Sequence, residues 1–191
     1  PSRINMIFSG IEVIEPDHNR VRLTNGQMLG YDFLIIATGT QIRPAEIEGL
    51  LGIVATDNYG GGRAAAKIMI EMLEGKGQVA LLNHPRIESA IMREGGFLEE
   101  IRQALDIEVV AILPGGGEKK MSLDAAKDLI QTHPDLDGLF CINDPSALGA
   151  AEALKAEIAS GRIQIVGFDA QMPARHAVKE GTLYATIVQY P

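Results

Sequence analysis

The sequence predicts an α/β fold: a mostly parallel sheet with helices on both faces, preceded by a short β-rich segment. Three observations carry this. From about residue 79 onward, short apolar runs alternate repeatedly with stretches of helical period. The 21 glycines among 191 residues suit many tight strand-to-helix turns. Residues 3–38 instead read as strands and turns with no helical period.

In that first segment, Ile11-Glu12-Val13-Ile14 leads into the turn cluster Glu15-Pro16-Asp17-His18-Asn19. Val21-Arg22-Leu23 alternates apolar and polar, and Asn25-Gly26 after it signals a hairpin turn. Phe33-Leu34-Ile35-Ile36 has the continuous apolar character of a fully buried strand and ends at Ala37-Thr38-Gly39-Thr40. Arg43-Pro44 and the stretch to Gly52 read as a linker.

After Asp57 the rhythm changes. Residues 63–73 have helical spacing, and Gly75 and Gly77 end the run. Residues 79–82 form a strand, roughly 88–105 a helix, and 107–113 a strand closed by Pro114 and three glycines. Residues 122–132 form a helix with Ser122 as its expected cap, stopped by His133-Pro134. Residues 138–142 form a strand, and 145–158 one helix with proline in its first turn. Residues 163–166 form a strand, 172–180 a helix ended by Gly181, and 183–188 the last strand. Strands 107–113 and 138–142 are expected to be central and dry.

The net charge of −8 is spread over the chain without a basic block, so nucleic acid or an anionic membrane surface is not expected as a partner. Cys141 is alone, lies in an apolar run and reads as a small buried hydrophobe rather than a reactive thiol. The apolar runs are strand-length, so no segment is expected to insert directly into a membrane, and no signal peptide is visible.

Ligands of open α/β sheets bind beyond the carboxyl ends of the strands. The residues placed there are Asn83 and His84 with Arg93 in the helix that follows, then Pro114-Gly115-Gly116-Gly117, Asn143-Asp144, Gly167-Phe168-Asp169, and Gln189. The set offers planar, bidentate donors and acceptors that suit the adjacent hydroxyls of a sugar or polyol. It has no evident nucleophile–base pair and no metal-ligand spacing. Hydrogen bonding without reaction is the simplest use; no catalytic residue, cofactor or metal is expected. For Asn143, Asp144 and Asp169, capping of the next helix and ligand contact remain open alternatives.

Thr56-Asp57-Asn58 with Gly61-Gly62-Arg63, Gly75 to Ala80, Thr132 to Phe140, Asn143-Asp144 with Ala147 to Ala150, Val166 to Asp169 and Gly181 to Gln189 resemble, in order and spacing, the second lobe of ribose-type periplasmic sugar-binding proteins. The resemblance covers residues 52–191. It implies sugar contacts from Arg93, Asn143, Asp169 and Gln189, a periplasmic or extracytoplasmic location, and the membrane subunits of an ABC importer as partners. Gly117 falls where many members carry a ring that stacks on the sugar, and Met172-Pro173 is slightly displaced from the family's glycine-x-proline. Related repressors add a helix-turn-helix; none is visible here.

Tyr31 to Thr40 resembles the Ala-Thr-Gly segment of flavin-dependent pyridine-nucleotide oxidoreductases, notably sulfide:quinone-type enzymes, without the Gly-x-Gly-x-x-Gly loop that would cradle a pyrophosphate. Residues 1–51 are therefore expected to be a flavoprotein-like segment lacking its cofactor, and a fragment of such an oxidoreductase is the alternative function. A scaffold with no present ligand is a third reading. The two likenesses belong to different architectures, and a fragment, a fusion or an artificial chimera would account for their union. Without the family's other lobe, the groove is expected to stay open and wet and to bind its sugar weakly.

Overall fold

In the computed structural model the described residues are 11–32 and 56–189. They fall in two compact units, one within Pro1–Ile53 and the other within Val54–Pro191. The strand expected at 33–36, the Ala-Thr-Gly segment and the linker to Gly52 lie outside the described residues.

The described residues of the first unit form a three-stranded antiparallel sheet of β1 (Ile11–Glu15), β2 (Arg20–Leu23) and β3 (Met28–Gly30). Pro16–His18 form a single 3-10 turn, and Asn19 reverses the chain in the left-handed region. Gly26 takes φ +83° in the tight turn between β2 and β3, and the Asn25 side chain accepts from the Gln27 backbone N–H at 3.0 Å. This is the hairpin that Asn25-Gly26 predicts. Alternation leaves Val21 and Leu23 buried while Arg20 and Arg22 face solvent.

The second unit comprises α1 (Asn58–Met72), β4 (Lys76–Asn83), α2 (Glu88–Ile101), β5 (Asp106–Pro114), α3 (Lys119–Thr132), β6 (Gly138–Cys141), α4 (Asp144–Ala153), α5 (Lys155–Ala159), β7 (Gln164–Asp169), α6 (Met172–Lys179) and β8 (Ala185–Val188). Its five strands form a parallel sheet in the order β5-β4-β6-β7-β8. Side chains alternate between the two faces. Val79, Leu81, Phe140, Val166 and Phe168 join Ala65, Met69, Phe97 and Ile101 of α1 and α2 in one core. Ala80, Leu82, Leu139, Cys141 and Ile165 join α3, α4 and α6 in the other. Phe97 of α2 stacks on Phe140 of β6, with centroids 4.5 Å apart.

Three expectations are corrected. Strand 107–113 is not central: β5 lies at one edge of the sheet with Asp106 and Glu108 exposed, whereas β6 is central and wholly buried. The apolar run of β5 reflects the helices on its two faces, not strands on its two sides. Ser122 does not cap α3, because the helix already starts at Lys119. Ser122 is buried inside it and donates to the Gly115 carbonyl at 2.9 Å. The single helix expected over 145–158 is two, α4 and α5, broken at the buried Leu154.

Candidate functional site

The chain enters β4, crosses to β5 on one side, and returns to β6 on the other side of β4. The loops leaving β4 and β6 therefore diverge, and such a switch point opens a crevice at the carboxyl edge of the sheet. A groove of about 400 Å³ lies there, lined among others by His84, Arg93, Gly117, Asn143, Asp169 and Gln189.

Arg93 is its anchor. Two glycine contacts let α1 and α2 approach closely: a Cβ on Gly62 would lie 2.1 Å from the Arg93 carbonyl oxygen, and one on Gly96 2.0 Å from that of Tyr59. This approach brings Asn58, at the start of α1, to Arg93. Arg93 Nε donates to Asn58 Oδ1 at 2.8 Å. Its Nη1 donates to the Ile142 carbonyl at 2.7 Å and to Asp169 Oδ1 at 3.1 Å. The guanidinium carbon sits 3.9 Å from the centroid of the Phe168 ring, a cation–π contact. Arg93 is only 7% exposed, yet Nη2 takes part in none of these bonds.

Asp169 ends β7. Its Oδ1 accepts from Arg93 and also from Gln189 Nε2; neither bond uses Oδ2. Gln189 is oriented in turn by Thr56, whose hydroxyl donates to Gln189 Oε1 at 2.8 Å. Burial raises the Asp169 carboxyl above its ordinary value, and Arg93, Gln189 and Gln171 pull it partly back. Burial likewise lowers Arg93, with Asp169 opposing.

The backbone at Asp169 has φ +111° and Ala170 has φ +52°, a conformation costing roughly 1–3 kcal/mol per residue. Neighbours hold it. Buried Asp144 accepts from the Gln171 N–H at 2.7 Å and from the Thr186 hydroxyl at 2.6 Å. Thr186 Oγ1 accepts from the Ala170 N–H at 3.2 Å, and Arg175 Nε donates to the Ala170 carbonyl at 2.6 Å. Burial also raises the Asp144 carboxyl, against the pull of Thr186 and Gln171.

The capping alternatives resolve differently at each residue. Asn143 caps α4: its Oδ1 accepts from the Ser146 N–H at 3.0 Å, while Nδ2 donates to the Gly117 carbonyl at 3.0 Å. Asp144 begins α4, and its carboxylate ties that helix to the chain before α6. Asp169 is no cap, since Gln171 precedes α6. The structure thus brings Arg93, Asn143, Asp169 and Gln189 to one groove. Sequence reasoning gave no site role to Asn58 or Thr56, whose partners lie 35 and 133 residues away along the chain. The available signal was Asn58, two residues ahead of the glycine run in α1. Cys141 is buried, and burial pushes its thiol up, as suits a packing residue. Among the described residues no three His, Cys, Asp or Glu side chains gather as a metal site.

Comparison with known proteins agrees with this architecture. Residues 35–191 match the family model described as a periplasmic binding protein domain. The chain is 31% identical over 140 residues to the D-allose-binding periplasmic protein of Escherichia coli K12, covering 72% of this chain and 45% of that protein. It is 33% identical over 150 residues to the ribose import binding protein RbsB of Bacillus subtilis, covering 78% and 48%. Among solved structures it is similar to an ABC transporter periplasmic solute binding protein of Actinobacillus succinogenes with bound D-allose. There the TM-score is 0.66 and the identity 30%, over 68% of this chain and 46% of that one. The arabinose binding protein AraP of Geobacillus stearothermophilus gives a TM-score of 0.67 and 33% identity, over 71% and 47%. The chain spans about half the length of the curated relatives it matches.

Proposed function

The chain belongs to the periplasmic binding protein domain family, and from that premise we propose that its groove binds a small sugar or polyol without reacting with it. The observation that carries this reading is the pair of buried Arg93 and partly buried Asp169. Arg93 Nε and Nη1 and Asp169 Oδ1 are bonded to one another, to Asn58, to Ile142 and to Gln189, with the Gln171 side chain also acting on the carboxylate, whereas Arg93 Nη2 and Asp169 Oδ2 are outside the bonds of that set. A fixed donor beside a fixed acceptor matches vicinal hydroxyls, and holding both in place beforehand reduces the ordering cost of binding. Gln189 and Asn143 complete the contacts. Residues 52–191 form the sugar-binding lobe and residues 1–51 a separate β-rich segment. The chain acts outside the cytoplasmic membrane as part of the substrate-binding component of an ABC-type importer, delivering its sugar to the membrane subunits. It is not an enzyme.

The names of the relatives suggest the panel: D-ribose, D-allose and arabinose. Calorimetric titration and thermal melting of the chain with each sugar test the proposal. A sugar at 100 times its dissociation constant should stabilise the fold by roughly 2.7 kcal/mol. No heat and no melting shift with any sugar, for a chain that melts cooperatively, would refute it.

A further inference from the structure

His84 follows β4 directly, on the flank of the switch point opposite Asn143, and is one of the residues that line the groove. The wall beside it is bare backbone. Gly117 takes φ +69°, and a Cβ there would sit 3.2 Å from His84 Cδ2 and 3.1 Å from Asn143 Nδ2. Without a side chain at 117, the groove stays open along the edge of the imidazole.

The two ring nitrogens differ. Nδ1 is sealed from solvent and has no hydrogen-bond partner. A buried N–H left unmet is rarer in folded proteins than an unmet lone pair. The unpartnered position therefore favours the tautomer with its lone pair on Nδ1 and its proton on Nε2. Nε2 has no partner among the described residues, and it is not sealed as Nδ1 is. It is the ring atom next to Cδ2, on the side that Gly117 leaves free.

We infer that His84 is a fifth ligand-contacting residue of the groove, donating its Nε2–H to an oxygen of the bound sugar at the end left open by Gly117. This rests on the sugar-binding reading of the groove. It adds a selectivity the Arg93–Asp169 pair cannot supply. The pair reads two neighbouring hydroxyls, whereas His84 reads a further acceptor at a fixed distance from them. The ligand is thus a sugar or polyol with an oxygen at that third point, and an analogue lacking it loses the contact while keeping the pair.

The test is calorimetric titration of D-ribose, D-allose and their single-deoxy analogues into the wild-type chain, His84→Ala, His84→Gln and Arg93→Ala. His84→Ala should bind the parent sugar about tenfold more weakly, the effect of one hydrogen bond. It should bind one deoxy analogue as well as the wild type does. His84→Gln, which keeps an N–H donor, should recover part of the affinity. Arg93→Ala should weaken every sugar. Unchanged affinity and selectivity in His84→Ala would overturn the role of His84 alone, and so would an equal loss for all analogues. Absence of binding to the wild type would overturn the sugar-binding reading and this inference with it.

Discussion

Asp169 joins two demands that usually conflict. It is buried enough to raise its own pKa, and it is the only carboxylate hydrogen-bonded to Arg93 among the described residues. Truncating it leaves the buried guanidinium without its hydrogen-bonded carboxylate, so Asp169→Ala should abolish sugar binding and also cost roughly 1–3 kcal/mol of stability. That is more than a lost helix cap of about 1 kcal/mol would suggest, because Asp169 caps no helix. Titration and melting of this variant check both outcomes together; full stability with lost binding would show that Arg93 finds another partner.

The same carboxyl sets a pH dependence. Its folded pKa, like that of Asp144, lies above the ordinary 3.8. The folded chain thus binds these protons more tightly than the unfolded one. As pH falls through the folded values, the two groups favour the fold, and the stability they withhold at neutral pH is regained. Binding moves the other way, since protonation removes the charged acceptor. Sugar affinity should therefore decline on acidification before an ordinary aspartate would titrate. Asp169→Asn should bind weakly and show no such decline. A wild-type affinity flat down to pH 3.8 would contradict this.

At the scale of elements, the site depends on how closely α1 and α2 approach. The carbonyls of Arg93 and Tyr59 stand where the Cβ atoms of Gly62 and Gly96 would be. Gly96→Ala should push the helices apart, cost roughly 1–3 kcal/mol and draw Asn58 away from Arg93, weakening sugar binding as well. Gly95→Ala is the control. Its Cβ would meet only the Tyr59 ring, at 3.2 Å, and alanine favours a helix. The half-buried ring has to give by a few tenths of an ångström, which the helix preference offsets, so this variant should melt close to the wild-type temperature with unaltered affinity. Equal tolerance of both changes would mean that the helix contact does not position Arg93.

Across the second unit, the order of the strands predicts where the structure opens last. β6 is paired on both sides and wholly buried, whereas β5 is paired on one side and half-exposed. Native-state amide exchange should be slowest at Leu139 and Phe140, and faster in β5 even though it is longer. Equal protection in β5 would show that a neighbour covers that edge in solution. The mouth of the groove lies at the same sheet edge as the strained Asp169–Ala170 segment, and ligand should slow exchange at Ala170 and Gln171 first.

Much of this was legible in the residues themselves. Apolar runs, helix spacing and glycine stops specify local structure, because backbone geometry and burial act within a few residues. They located most of the elements and the Asn25-Gly26 hairpin, and the strand ends named a wider set of groove candidates, which the resemblance to ribose-type binding proteins narrowed to Arg93, Asn143, Asp169 and Gln189. Strand order was not legible. β5 and β6 are both apolar runs, and helices on two faces bury a strand much as neighbouring strands would, so only the crossover reversal put β5 at the edge. Nor was the wiring of the site. Asn58 meets Arg93, Thr56 meets Gln189 and Asp144 meets Thr186 across separations that no local pattern encodes. Those bonds form because two glycine contacts and a reversal of strand order bring distant backbone together, and that is decided by packing in three dimensions.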